Sequence, residues 1–445
     1  MKTPIYDFAK EYAQNTRARF HMPGHKGKTF VGCESLDITE ISGADVLYSP
    51  DGIIEQSENN ASKLFGTEHT FYSTEGSTLA IKAMLALIKK RSASKRTTVL
   101  AARNAHKAFI YACALLDIDI EWMYPEEYGH LCSCDITPDA LSQSIDSCSS
   151  LPDAVYITSP DYLGHISDIA ALSDICHAKE IPFLVDNAHG AYLAFTDPCA
   201  HPIHLGADMC CDSAHKTLPV LTGGAYLHIS KSFKATKNEV RSALSLFAST
   251  SPSYLILQSL DLCNAYLDDG YKQRLSEHIK KLDDIKLKLS VMGFPTEISE
   301  PLKLVFSRKN CGYDGIELAS YLRANLIESE FADRDTLVLM STPENADHEL
   351  DALLRAFEAL PQKALTYVEV LPKFKKLNKK LSVREAMLSA SEAIATQNAL
   401  GRICASPTVS CPPAIPIVMS GEEISEDAIS LMLYYGIDAI EVIKE

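Results

Sequence analysis

Short apolar runs that end on a polar residue recur through the first half of this chain, and helix-like stretches separate them. "DAVYIT" stops at "SPDYLG", "PFLVD" stops on Asp186, "ADMCCDS" runs into Ser213, and "GAYLHI" begins at Gly224. "TTVLAA" is a further strand. Between these runs lie "GSTLAIKAMLALIKK", a helix from about Ser77 after Gly76, "NAHKAFIYACALL", a helix opening at Asn104, and "DIAALSDICHAK". Strands and helices alternating at this spacing are βαβ units. A strand apolar along its whole length is buried on both faces. The expected fold is α/β, with a mostly parallel sheet covered on both sides in a major domain.

Three segments follow from the rest of the pattern: an N-terminal arm over 1–45, a major domain over 46–285 and a small α/β C-terminal domain over 286–445. "LILQSLDLCNAYLDDGYKQRLSEHIKKLDDIKLKLSVMG" reads as one long helical stretch ending near Gly293. "LKLVFS" and "TLVLMS" read as strands, "KKLSVREAMLSASEAIATQNALGRI" as helical, and a Pro-rich loop precedes a last helix and the strand "AIEVI".

The formal net charge of −16 over 445 residues argues against nucleic acid and anionic membrane as partners. No apolar run is long enough to span a bilayer. The start "MKTPIYDFAKEYAQNTRARF" is polar, unlike a signal peptide. Thirteen cysteines make an odd count without a framework, so a cytoplasmic protein with reduced thiols is expected. No metal site is expected. Cys132 and Cys134, and Cys210 and Cys211, lack zinc spacing, and Pro23 and Gly24 separate His21 from His25.

Ligands of parallel sheets bind at the carboxyl ends of strands. Asp186, Ser159, Ser213 and Lys216 all follow strands there. Taken singly, Asp186 reads as a helix cap and Lys216 as a solvated lysine. Together they suggest pyridoxal 5′-phosphate, which needs a lysine for a C=N link and an acid for its pyridine nitrogen. "EGSTLA" offers backbone N–H groups and two hydroxyls at a helix start, which suits a phosphate.

"FHMPGHKG", "ARNAHKAF", "LVDNAHGAY", "DSAHKTLPVLTGG" and "STSPSYLILQSLD", in this order, resemble the bacterial ornithine/lysine/arginine decarboxylases of the aspartate-aminotransferase fold (fold type I). "ALGRICASPTVSCPPAIPIVMSGEEI" resembles that family's C-terminal domain, and the likeness runs from about residue 20 to the end. The chain looks like the short form, without a receiver-like N-terminal domain. The resemblance implies that Lys216 holds the cofactor as a Schiff base and that Asp186 pairs with the pyridine nitrogen. It implies that His106 stacks on the ring and that Ser77, Thr78, Ser213 and His215 bind phosphate. His189 would line the cleft. Thr250 and Ser251 would reach the partner subunit's cofactor in a homodimer or higher homo-oligomer with its sites at the interface. His21, His25 and Lys26 would pack near the site from the N-terminal loop. The implied reaction is decarboxylation of a basic amino acid to a primary amine: arginine first, then lysine, then ornithine.

The chain departs from the family pattern at Asp161, Leu163, Gly223, Cys411, Ala414 and Ser420. Asp161 either supplies an anionic contact for a cationic substrate or caps a turn. A guanidinium calls for a planar bidentate carboxylate, for which Glu422 or Glu423 is the candidate, with exposed helix-start acids the other reading. An aminotransferase or lyase on the same fold, and a non-catalytic cofactor-binding or regulatory protein, stay open beside the decarboxylase.

Overall fold

A computed structural model of the chain describes residues 1–15, 17–125, 130–365, 376–407 and 416–444. The largest sheet is built from β1 (His69–Ser73), β2 (Thr98–Ala102), β3 (Asp119–Met123), β4 (Ala154–Thr158), β5 (Phe183–Asp186), β6 (Met209–Asp212) and β7 (Ala225–Ile229). Their order is β1-β7-β6-β5-β4-β2-β3. β5, β6 and β7 are buried at every position, as their unbroken apolar character requires. The sheet is mostly parallel, with β4, β5 and β6 side by side in one direction and β7 antiparallel to both β6 and β1. That reversal positions the site. Antiparallel neighbours are joined at one end, so the link 213–224 stays at the carboxyl end of β6.

Contacts divide the chain into two compact units, each drawn from separated segments. The first comprises Met1–Val99, Ser150–Thr158 and Asp168–Gln273; the second comprises Leu100–Ser149, Ser159–Ser167 and Arg274–Glu445. In the first, the helix Gly76–Arg91 is buried along most of its length, from Leu79 to Ile88. In the second, β8 (Lys303–Ser307), β9 (Phe331–Ala332) and β10 (Thr336–Met340) form an antiparallel sheet of order β8-β10-β9. β11 (Ser391–Ala395) pairs with β12 (Ala439–Ile443) in a two-stranded sheet.

Three local expectations need correction. The long helical stretch is two helices, Tyr254–Asp268 and Tyr271–Val291, parted where Gly270 takes a left-handed φ of 71°. The expected helix before Ile403 ends at Leu388, and "SEAIA" becomes β11. Its Ala and Glu favour helix locally, but β12 supplies a pairing edge with buried Ile440 and Val442. The helix expected from Asn104 starts at Lys107 instead, because His106 is extended and its ring accepts the Ala108 N–H. Cys411 and Ala414 lie outside the described residues.

Candidate active site

β5 ends on Asp186 and β6 on Asp212, and both strands deliver their next residues to the same edge of the first unit. Asp186 is buried, and its carboxylate takes three donors: Tyr156 Oη at 3.1 Å on one oxygen, Ala188 N at 3.2 Å and Cys211 Sγ at 3.4 Å on the other. Burial, followed by the Asp186 charge, pushes the Cys211 thiol well above its usual range, so Cys211 acts as a donor. After Asp186 the chain turns through Asn187–Gly190, where Asn187 O accepts the Gly190 N–H. The turn carries buried His189, whose Nε2 stands 3.0 Å from Lys216 Nζ. A protonated lysine can only donate, so Nε2 is the acceptor in this contact.

Lys216 sits in a single helical turn, Ala214–Thr217, directly after β6. Ser213 Oγ donates to Ser77 Oγ at 2.8 Å, joining that turn to the start of the helix Gly76–Arg91. First-turn N–H groups of a helix have no intrahelical partner, so Ser77 and Thr78 present donors as well as hydroxyls. Gly76 N bonds to Gly223 O at 2.7 Å. Gly223 has φ 98°, and a Cβ there would stand 3.0 Å from the Thr74 carbonyl oxygen. The departure at Gly223 therefore matches a backbone that folds tightly over the helix start. His215 is turned onto Gly224 O, at 3.0 Å from Nδ1.

Lys216, Asp186, His189, Ser77, Thr78, Ser213 and His215 all belong to the first unit. Thr250 and Ser251 are exposed in the loop after Leu246. His25 pairs with Asp37 at 3.1 Å and accepts the Gly27 N–H, within its own loop. His21 meets Tyr12 Oη at 2.6 Å, and Lys26 Nζ donates to His21 O.

Two substrate candidates in the second unit have other occupations. Asp161 is buried and takes the His165 N–H at 3.0 Å and His165 Nδ1 at 3.1 Å, so it closes the 161–165 turn. That bond, against opposing burial, raises the imidazole's proton affinity. Glu422 is buried, and both its oxygens are taken by Arg103, at 2.7 and 2.6 Å. The Met419 N–H adds a third bond. Arg103 is itself fully buried, between the Trp122 and Tyr124 rings. A substrate cation would have to displace this pair, and the bidentate carboxylate expected for a guanidinium is already serving an internal one. Glu423 pairs with Lys380 at 3.3 Å.

Sequence reasoning missed Tyr156 and Arg103. Tyr156 was legible: it lies two before Thr158, which pairs with Asp186, so both point to one face of the sheet. Nothing local joins Arg103 to Glu422.

A sequence profile of the Orn/Lys/Arg decarboxylase major domain matches residues 3–298, and one of the family's C-terminal domain matches 359–440. The chain belongs to the Orn/Lys/Arg decarboxylase family. This makes it an amino acid decarboxylase, and the aspartate-aminotransferase-like fold is the one observed. Among its relatives in the family, the arginine decarboxylase of Bacillus subtilis is 29% identical over 472 residues, covering 98% of this chain and 94% of that protein. The arginine decarboxylase of Halalkalibacterium halodurans is 27% identical over 462 residues, covering 96% and 91%. The solved structure of the Escherichia coli constitutive lysine decarboxylase superposes with a TM-score of 0.79 at 17% identity, over 100% of this chain and 82% of that one.

Proposed function

We propose that this decarboxylase uses pyridoxal 5′-phosphate and acts on arginine, releasing CO2 and agmatine, with lysine and ornithine as the next candidates. The observation that carries the cofactor reading is the pairing of a buried, three-fold hydrogen-bonded Asp186 with Lys216 across two adjacent strand ends. These residues fit the group's two demands, a carboxylate for a ring nitrogen and an amine for covalent attachment. When bound, the cofactor supplies an electron sink for the pair left as the substrate's carboxylate departs.

The chain's own residues do the rest. Asp186, its carboxylate oriented by Tyr156, the Ala188 N–H and Cys211, would face the ring nitrogen. Ser77, Thr78, Ser213 and His215 receive the phosphate at the helix start. Lys216 must be neutral to act as a nucleophile, and His189 Nε2, 3.0 Å away, takes up its proton. The proton held on His189 Nε2 is then handed back to Lys216 Nζ, which delivers it to the substrate α-carbon. His106, whose Nδ1 accepts the Ala108 N–H, is the candidate to stack on the cofactor ring.

Near full-length similarity to arginine decarboxylases supports arginine. The Escherichia coli lysine decarboxylase is matched in sequence over 40% of its length. A homodimer is supported by Phe20, Phe30 and Val31, all exposed on the loop that also carries His21 and His25. A cytoplasmic setting accords with free thiols at all twelve described cysteines. Among the described residues no helix is long and apolar enough to cross a membrane. The test is an amine-product assay on the purified protein with arginine, lysine and ornithine. Agmatine as the main product supports the reading; cadaverine or putrescine reassigns the substrate; a keto acid from any of them overturns decarboxylation.

A further inference from the structure

Asp212 is fully buried at the end of β6, on the face of the sheet opposite Asp186. Three N–H donors meet its carboxylate. Asn187 Nδ2 reaches Oδ1 at 2.7 Å, while His201 Nε2 and His228 Nε2 reach Oδ2 at 3.0 and 3.1 Å. His228 Nδ1 is in turn 2.9 Å from Thr70 Oγ1, so its ring is held at both nitrogens. Burial alone would raise the proton affinity of Asp212, but the two imidazoles overcome it and hold the carboxyl well below its usual range. Cys210, whose thiol burial pushes well above its ordinary pKa, stands 3.9 Å off and stays protonated.

The position of this anion matters more than its charge. Asn187 follows Asp186 and opens the turn that carries His189; Ser213 follows Asp212 and opens the segment that carries Lys216. Asn187 also donates its backbone N–H to Cys211 O at 3.0 Å. The turn has no slack: a Cβ at Gly190 would lie 2.0 Å from Asn187 Oδ1. His189 and Lys216 meet at 3.0 Å only if these two backbone segments keep their spacing.

We propose that Asp212 is a positioning residue: gripped by Asn187, His201 and His228, it locks the His189 turn against the Lys216 segment. The proposal rests on the reading of Lys216 and Asp186 as the cofactor-holding pair. A metal centre is the competing use of His201, Cys210 and Asp212, which lie close enough to share an ion. The hydrogen bonds favour the lock, since each imidazole already spends its Nε2 proton on the carboxylate.

The test uses the full-length chain and two readouts. Amide hydrogen exchange, measured without cofactor, reports on 187–190 and 213–217. Absorbance titration with pyridoxal 5′-phosphate reports affinity. Asp212→Asn leaves one carboxamide N–H facing a donor, so exchange in both segments should quicken at least tenfold and cofactor affinity should fall at least tenfold. His201→Gln keeps an N–H near the Nε2 position and should stay within twofold of the parent; His201→Leu should follow Asp212→Asn. Leu87→Ala, a buried cavity variant in the same unit, controls for general loss of stability and should leave both readouts at the parent level. The lock is overturned if Asp212→Asn leaves exchange unchanged, if Leu87→Ala reproduces its effects, or if the parent yields stoichiometric zinc on denaturation. A parent protein that binds no pyridoxal phosphate refutes the cofactor reading instead, and hydrogen exchange still decides the lock.

Discussion

A lysine can attack a carbonyl carbon only after shedding its proton, and in this chain His189 Nε2 lies 3.0 Å from the amine that has to do so. Replacing His189 with Ala should slow turnover about 100-fold, the ordinary scale of one lost proton-transfer partner, while the melting temperature stays within a few degrees; steady-state kinetics beside a thermal melt will read both. Glu422 gives the opposite pattern. Glu422→Gln strands the Arg103 cation in the interior, a loss of about 3–5 kcal/mol, and denaturant unfolding should register it. The KM for arginine should not change in whatever Glu422→Gln protein remains folded. A large KM increase would restore Glu422 as a substrate contact. Lys216 and Asp186 were legible because each follows an apolar run that reads as a strand, and strand ends are where parallel sheets hold ligands. The Arg103–Glu422 pair was not, because 319 positions separate its members and a buried acid looks, in sequence, like an exposed one.

Elements made of unbroken apolar runs were the readable ones: β4 to β7 fall within "DAVYIT", "PFLVD", "ADMCCDS" and "GAYLHI", each shorter than the stretch by one to three residues. The failures share a cause. β11 has no strand character of its own and exists because β12 offers an edge, with Ser391 opposite Ile443 and Ala395 opposite Ala439 across a long intervening stretch of chain. The loop over the helix start is a second such case, since two glycines do not announce which carbonyl they approach. Gly223→Ala should cost about 1–3 kcal/mol, the range for a side chain forced into a left-handed backbone. It should also weaken cofactor binding by moving Gly223 O off Gly76 N. The lock on β6 carries a pH signature. The Asp212 carboxyl is held below its ordinary value, so its contribution to stability is complete above about pH 4 and is lost as pH falls toward the folded value. Acid unfolding of Asp212→Asn should therefore be less steep than that of the parent, and chemical denaturation between pH 7 and 3 will show it.

At the scale of the molecule, α/β architecture with a major and a C-terminal domain was expected, and profiles of both family domains match in that order. The division into two compact units was not foreseen, because each unit gathers segments that the chain visits more than once. A homodimer is expected from the family resemblance, and Phe20, Phe30 and Val31, exposed in the N-terminal loop, are the apolar surface offered for it. Light scattering should give about twice the 48.8 kDa chain mass, and Phe20→Ser with Phe30→Ser should shift the population toward monomer. Every proposed step passes through one amine, that of Lys216. The protein should be loaded with pyridoxal 5′-phosphate, reduced with borohydride, digested and mapped by mass spectrometry. A pyridoxyl adduct on the peptide containing Lys216, absent in Lys216→Ala, is the expected result; an adduct on another side chain, or none, would contradict it.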